Sequence, residues 1–155
     1  MKRSVFVMFL VLWLVVSLPA WAADNCKQVG GVLMTNINAI GLPTTYDGTN
    51  LGPVFGDLAG AVAARILDGS MAGGFDVQHY LVTATGDTIK FKVAHLTPTG
   101  ANDVAAVRWG DYRSDIAGGT GKFDGATGYL EYFGLADFSA LTLVLRYRGQ
   151  VCHAH

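Results

Sequence analysis

Five glycines fall within the eleven residues Gly118 to Gly128, inside the run Ile116-Ala-Gly-Gly-Thr-Gly-Lys-Phe-Asp-Gly-Ala-Thr-Gly128. Glycine is used where the backbone must take positive φ or pass close to another strand, so Gly118, Gly119, Gly121, Gly125 and Gly128 predict a tight, kinked turn with bulges at a sheet corner. The segment is not a phosphate loop. That motif needs G-x-x-x-x-G-K-[ST], whereas Ile116 holds the first glycine position and Phe123 follows Lys122. A dinucleotide fingerprint fails as well, because Asp124 stands where the third glycine belongs and no amphipathic helix pattern follows.

The rest of the chain agrees with an all-β reading. Val, Ile, Thr, Tyr and Phe fill the intervals between turn signals, and no run after residue 23 has helical spacing. Strands are predicted near Val32 to Ala39, Asp57 to Leu67, Phe75 to Thr85, Thr88 to Thr97, Val104 to Tyr112, Thr127 to Phe133 and Ala140 to Gln150. Gly41 to Gly56, with its two prolines and four glycines, reads as the longest loop. In the last strand Leu141, Leu143, Leu145 and Tyr147 alternate with Thr142, Val144, Arg146 and Arg148, giving one core face and one solvated face.

Residues 1–22 have the make-up of a signal peptide. Lys2 and Arg3 precede an apolar run from Val5 to Leu18, and Ala20-Trp21-Ala22 supplies the cleavage pattern. Export to the periplasm or beyond is expected, with no membrane attachment after cleavage. Removing 22 of 155 residues leaves 133, enough for one domain over residues 23–155. All twelve acids but only nine of the eleven Lys and Arg lie after residue 22, so the mature charge is about −3. Without a basic block this argues against nucleic-acid binding. Cys26 and Cys152, near the two ends of an exported chain, point to a disulfide that would make the terminal strands neighbours, as a closed barrel requires. Free thiols or an intermolecular bridge are the alternatives.

One hairpin can be registered. Reading Gly86-Asp87 as a two-residue turn sets Ala84 opposite Ile89, Val82 opposite Phe91, Tyr80 opposite Val93 and Gln78 opposite His95. Because Ile89, Phe91 and Val93 alternate with Thr88, Lys90 and Lys92, this register turns Gln78, Tyr80, Phe91, Val93 and His95 inward. His79, Phe75, Val77 and Leu81 then face out. Tyr80, Gln78 and His95 would bind or polarise a ligand oxygen, or else form a hydrogen-bonded plug at the barrel end. Asp57 reads as a turn-capping or a catalytic carboxylate, and Trp109 and Tyr112 as pocket lining or core. Arg108 belongs outside if Val107 and Trp109 face the core. The tail His153-Ala154-His155 lacks further spaced ligands, so no metal site is expected.

With these pieces together the chain resembles the allene oxide cyclase and dirigent superfamily of small eight-stranded antiparallel barrels, and within it the bacterial secreted members described as allene-oxide-cyclase-like. The likeness rests on residues 116–128, which match the pattern I-x-G-G-T-G-x-[FY]-x-x-A-x-G. Gly56-Asp57-Leu58-Ala59-Gly60 and Gly86-Asp87-Thr88-Ile89 support it. The resemblance implies a closed barrel that accommodates a small apolar molecule without a cofactor, as a binding protein or a cyclase or isomerase acting by shape. It also implies possible assembly into a homo-oligomer through the outer faces. No catalytic residue of the superfamily can be matched to a position here. The competing reading is a structural or protein-interaction module with a filled interior, and cavity volume discriminates the two.

Overall fold

A computed structural model describes residues 25–39, 48–70, 73–97, 99–101 and 104–153. Residues 1–22, read above as a signal peptide, and His155 lie outside these residues. The strands are β1 (Cys26–Ala39), β2 (Gly48–Gly56), β3 (Gly60–Ser70), β4 (Gly74–Thr83), β5 (Thr88–Phe91), β6 (Ala94–Leu96), β7 (Thr99–Ala101), β8 (Val104–Val107), β9 (Arg113–Gly119), β10 (Thr127–Asp137) and β11 (Thr142–Cys152). Eight of them pair antiparallel in the order β11-β1-β2-β3-β4-β5-β9-β10, and β10 closes the ring onto β11. The result is the expected closed all-β barrel. β6 prolongs the line of β5 along β4, β8 prolongs the line of β9 along β10, and β7 hangs on β8.

Closure follows from residue pattern. Val29, Leu33, Thr35 and Ile37 of β1 point inward in step with Leu143, Leu145, Tyr147 and Val151 of β11, whose ladder runs unbroken from Cys26↔Cys152 to Asn36↔Thr142. The Cys26–Cys152 disulfide ties the two strands at one end. At this same end Leu58, Phe123, Ala126 and Val151 are buried, and the Tyr147 hydroxyl accepts from Leu58 N at 3.0 Å while donating to Phe55 O at 3.1 Å. Together they close that mouth. Asp57 is exposed, and its carboxylate accepts from Gly30 N at 2.9 Å, the bracing role of a turn residue.

The glycine segment begins as strand rather than turn. Gly118 and Gly119 belong to β9 and pair with Lys90 and Ile89, with a bulge opposite Phe91. A side chain on Gly119 would meet the Thr88 carbonyl, so the close approach to β5 requires glycine. The corner follows as a single 3₁₀ turn, Gly121–Phe123, which drops Phe123 into the closed end.

Residues 48–56 form β2, not the loop expected there; the part of that loop at residues 41–47 lies outside the described residues. Gly52 approaches β1 so closely that a Cβ would strike the Met34 carbonyl, and Pro53 sits where the β1–β2 ladder is interrupted between Val54 and Leu51. Proline is tolerated in a strand at such a break.

The hairpin between β4 and β5 corrects the expected register. Its loop is the three residues Ala84–Gly86, closed by Thr83 N to Asp87 O at 2.8 Å and Gly86 N to Thr83 O at 2.9 Å, with Gly86 at φ 86°. A type I turn followed by a left-handed glycine adds a residue to the loop and moves the pairing. Tyr80 faces Lys90, Leu81 faces Ile89 and Val82 faces Thr88, three positions from expectation. An odd shift turns every β4 side chain to the other face. Phe75, Val77, His79 and Leu81 are therefore buried inside, and an outer face built on Phe75, Val77 and Leu81 does not exist. The outer apolar residues are others, among them Met34, Val144 and Leu135, adjacent across β1, β11 and β10.

Candidate functional site

One end of the barrel is closed, and the opposite end holds the pocket. Ile37 of β1, Asn50 of β2, Ile66 of β3, Phe75 and Val77 of β4, and Leu143 and Leu145 of β11 line it, with Leu96, Ala136 and Phe138 around the rim. The Phe75 and Phe138 rings stack with centroids 6.0 Å apart. No Lys, Arg, Asp or Glu is among the lining residues. The cavity is about 40 Å³, room for a few water-sized groups and far below the ~300 Å³ of a site that engulfs a drug-sized ligand. Below it the interior is filled by side chains.

His79 and Tyr112 form the polar floor. His79 is 2 % exposed and packs among aromatic rings: Phe91 at 6.2 Å edge-on, Tyr112 at 5.6 Å and Tyr132 at 5.2 Å stacked. Its hydrogen bonds are long. The Tyr112 hydroxyl lies 3.3 Å from Nδ1 and 3.4 Å from Nε2, and Ser114 Oγ lies 3.3 Å from Nδ1. Burial without a counter-charge disfavours the imidazolium and pulls the His79 pKa from 6.5 down to about 4, so the ring is neutral at physiological pH. Burial likewise pushes the Tyr112 and Tyr132 hydroxyls up, and neither supplies a phenolate near neutrality. A neutral imidazole beside a phenol can orient a hydroxyl or polarise a carbonyl by hydrogen bonding; it is a weak base.

Of the residues expected to point inward, Phe91 is inside and fully buried. Tyr80 and Val93 lie on the outside, 39 % and 50 % exposed, and His95 is exposed with its Nδ1 2.8 Å from Asp76 Oδ1. Gln78 is half-buried on the outer face, donating to Phe91 O at 3.2 Å and accepting from the Tyr80 hydroxyl at 2.7 Å. Gln78 and Tyr80 thus stay bonded to each other and His95 joins Asp76, all outside the barrel. The shifted register brings in His79 instead. Its signal was available: Phe75, Val77, His79 and Leu81 share one face of a strand, and three of the four are apolar.

Tyr112 enters the floor from the loop after β8, fixed by Tyr132 N donating to Tyr112 O at 3.1 Å. Trp109 is outside, stacked on Phe133 at 5.5 Å with the Arg148 guanidinium over its ring at 4.4 Å, and Arg108 is exposed as expected. His153 Nδ1 bonds Lys122 O at 2.8 Å, and no group of three or more metal-ligating side chains is gathered among the described residues.

Among the solved structures this barrel matches are two dirigent proteins. The pterocarpan synthase dirigent protein GePTS1 aligns with a TM-score of 0.57 and 14 % identity, covering 84 % of this chain and 86 % of its own. The pterocarpan synthase dirigent protein PsPTS1 aligns at 0.55 and 12 %, covering 84 % and 96 %. The fold is dirigent-like. No family model matches the sequence, and no curated protein does. Identity this low carries the architecture and leaves the chemistry to the site itself.

Proposed function

We propose that the chain is an exported barrel that holds a small, mainly apolar molecule at its open end, as a binding protein or as a cofactor-free cyclase or isomerase. The observation that carries this is the apolar pocket floored by a buried, neutral and loosely bonded His79 with Tyr112 beside it. Apolar walls with a few convergent polar groups are the usual make-up of a small-molecule site. At about 40 Å³ the pocket takes one end of a molecule, with the remainder held at the rim. The dirigent-like architecture supports this reading, since its neighbours bear the name of a synthase. Export is supported by the disulfide between the terminal strands. On its glycine segment we assign the chain to the bacterial secreted, allene-oxide-cyclase-like branch of these barrels.

The filled interior favours a second reading, a side-chain-packed interaction module with no ligand. Native mass spectrometry of protein purified from its own host separates the two. The first reading expects a bound mass that disappears in Ala136→Leu, which fills the pocket from its rim. An apo mass alone under gentle conditions contradicts it and supports the module.

A further inference from the structure

Asn50, Ala64 and His79 stand in one inward-facing row across β2, β3 and β4, since Asn50 pairs with Ala64 and Ala64 with His79. With strands about 4.8 Å apart, the two polar groups flank the small methyl of Ala64 at about 10 Å separation. Asn50 is 7 % exposed and lines the pocket, yet its side-chain oxygen is buried with no hydrogen-bond partner among the described residues. Two other buried hydroxyls, of Thr35 and Tyr132, share that condition but do not line the pocket. A buried carbonyl oxygen without a donor is costly, and only a donor can relieve it. The walls offer no charge to pair with an ionic head group, which would lose its hydration on entry.

We infer that the pocket selects neutral molecules that enter with a hydrogen-bond donor, a hydroxyl or an N–H, and that Asn50 reads that donor. This rests on the pocket being a ligand site, as proposed above. The donor end sits against Asn50 Oδ1, the apolar body against Ile66, Val77 and Phe138, and His79 lies across the floor to meet a second polar atom. Asn50 is then the residue that sets specificity, separating alcohols and amides from ethers and carboxylates of the same shape.

Three probes of one size test this by NMR titration of the full mature chain: benzyl alcohol, its isomer anisole, which accepts but does not donate, and benzoate. Benzyl alcohol is expected to bind about tenfold more tightly than anisole, the worth of one buried hydrogen bond. Benzoate should bind more weakly still. Asn50→Leu removes the unpartnered acceptor, so the folded variant should bind benzyl alcohol no better than anisole. Anisole or benzoate matching the alcohol in the parent protein would overturn the inference while leaving the pocket as a ligand site, and that ordering needs no variant. An alcohol preference undiminished in a folded Asn50→Leu would overturn the role of Asn50. Failure of all three probes to bind would remove the ligand site and the inference with it.

Discussion

Replacing His79 with glutamine tests the electrostatic description of the pocket floor. In the folded barrel the imidazole is buried and resists protonation down to about pH 4, whereas in the unfolded chain it protonates near 6.5. Between these values the unfolded state binds more protons, so stability falls as the pH drops. The sign is that of a group with a depressed folded pKa: its contribution is complete above about 6.5, declines from there to about 4, and is flat below. The gap, at about 1.36 kcal/mol per unit, comes to about 3 kcal/mol. His79 is 2 % exposed, so solvent screening does not reduce this figure. Glutamine keeps a hydrogen-bonding side chain and does not titrate. Urea unfolding at pH 7, 5.5 and 4 should therefore show the parent losing about 3 kcal/mol more than His79→Gln between the first and last points. His95, His153 and the carboxylates are common to both proteins and cancel in the difference. A difference that stays constant with pH would refute the buried, neutral imidazole.

Reducing the disulfide, or substituting both Cys26 and Cys152 with serine, opens a sequence separation of 126 residues and should cost about 4 to 5 kcal/mol in the chain-entropy account, read as a lowered urea midpoint. Gly119→Ala should fold poorly because its methyl meets the Thr88 carbonyl, whereas Gly118→Ala, in open space but at φ 112°, should cost about 1 to 3 kcal/mol, both by thermal unfolding. Tyr147→Phe removes the hydroxyl shared by Leu58 N and Phe55 O and should cost about 1 to 2 kcal/mol at the closed end, measured the same way. Tyr80→Phe and His95→Ala, both on the outer face, should leave stability within about 0.5 kcal/mol and leave probe binding unchanged.

The barrel was legible because its signals are redundant. The alternation of Leu143, Leu145 and Tyr147 against Val144, Arg146 and Arg148 sets the faces of β11, and cysteines at both ends bring that strand to β1. The glycine segment marks backbones that pass closely, first as strand at Gly118 and Gly119 and then as a corner at Gly121–Phe123. The hairpin had one decisive signal, and Gly86-Asp87 can close either a two-residue or a three-residue loop. Thr83 N bonding Asp87 O closes the longer one, and the three-position shift carries Tyr80 outside and His79 inside, while the pairing on β4 slips by one residue between β5 and β6 and leaves Val93 and His95 outside. β2 was hidden by its own composition, since Gly52 and Pro53 read as loop until β1 is known to lie against them. Asn50 was hidden with it. The candidate site was therefore illegible where a single turn or a neighbouring strand decides which way a side chain points.

The most direct measurement is a methyl-resolved NMR titration with benzyl alcohol that follows the pocket and the outer face together. Binding at the open end predicts saturable shifts at Ile37, Val77, Ala136 and Leu143, while Val82, Val93 and Val144 outside stay in place. Shifts confined to the outer residues, or none at saturation of the solvent with probe, would contradict a ligand site inside this barrel.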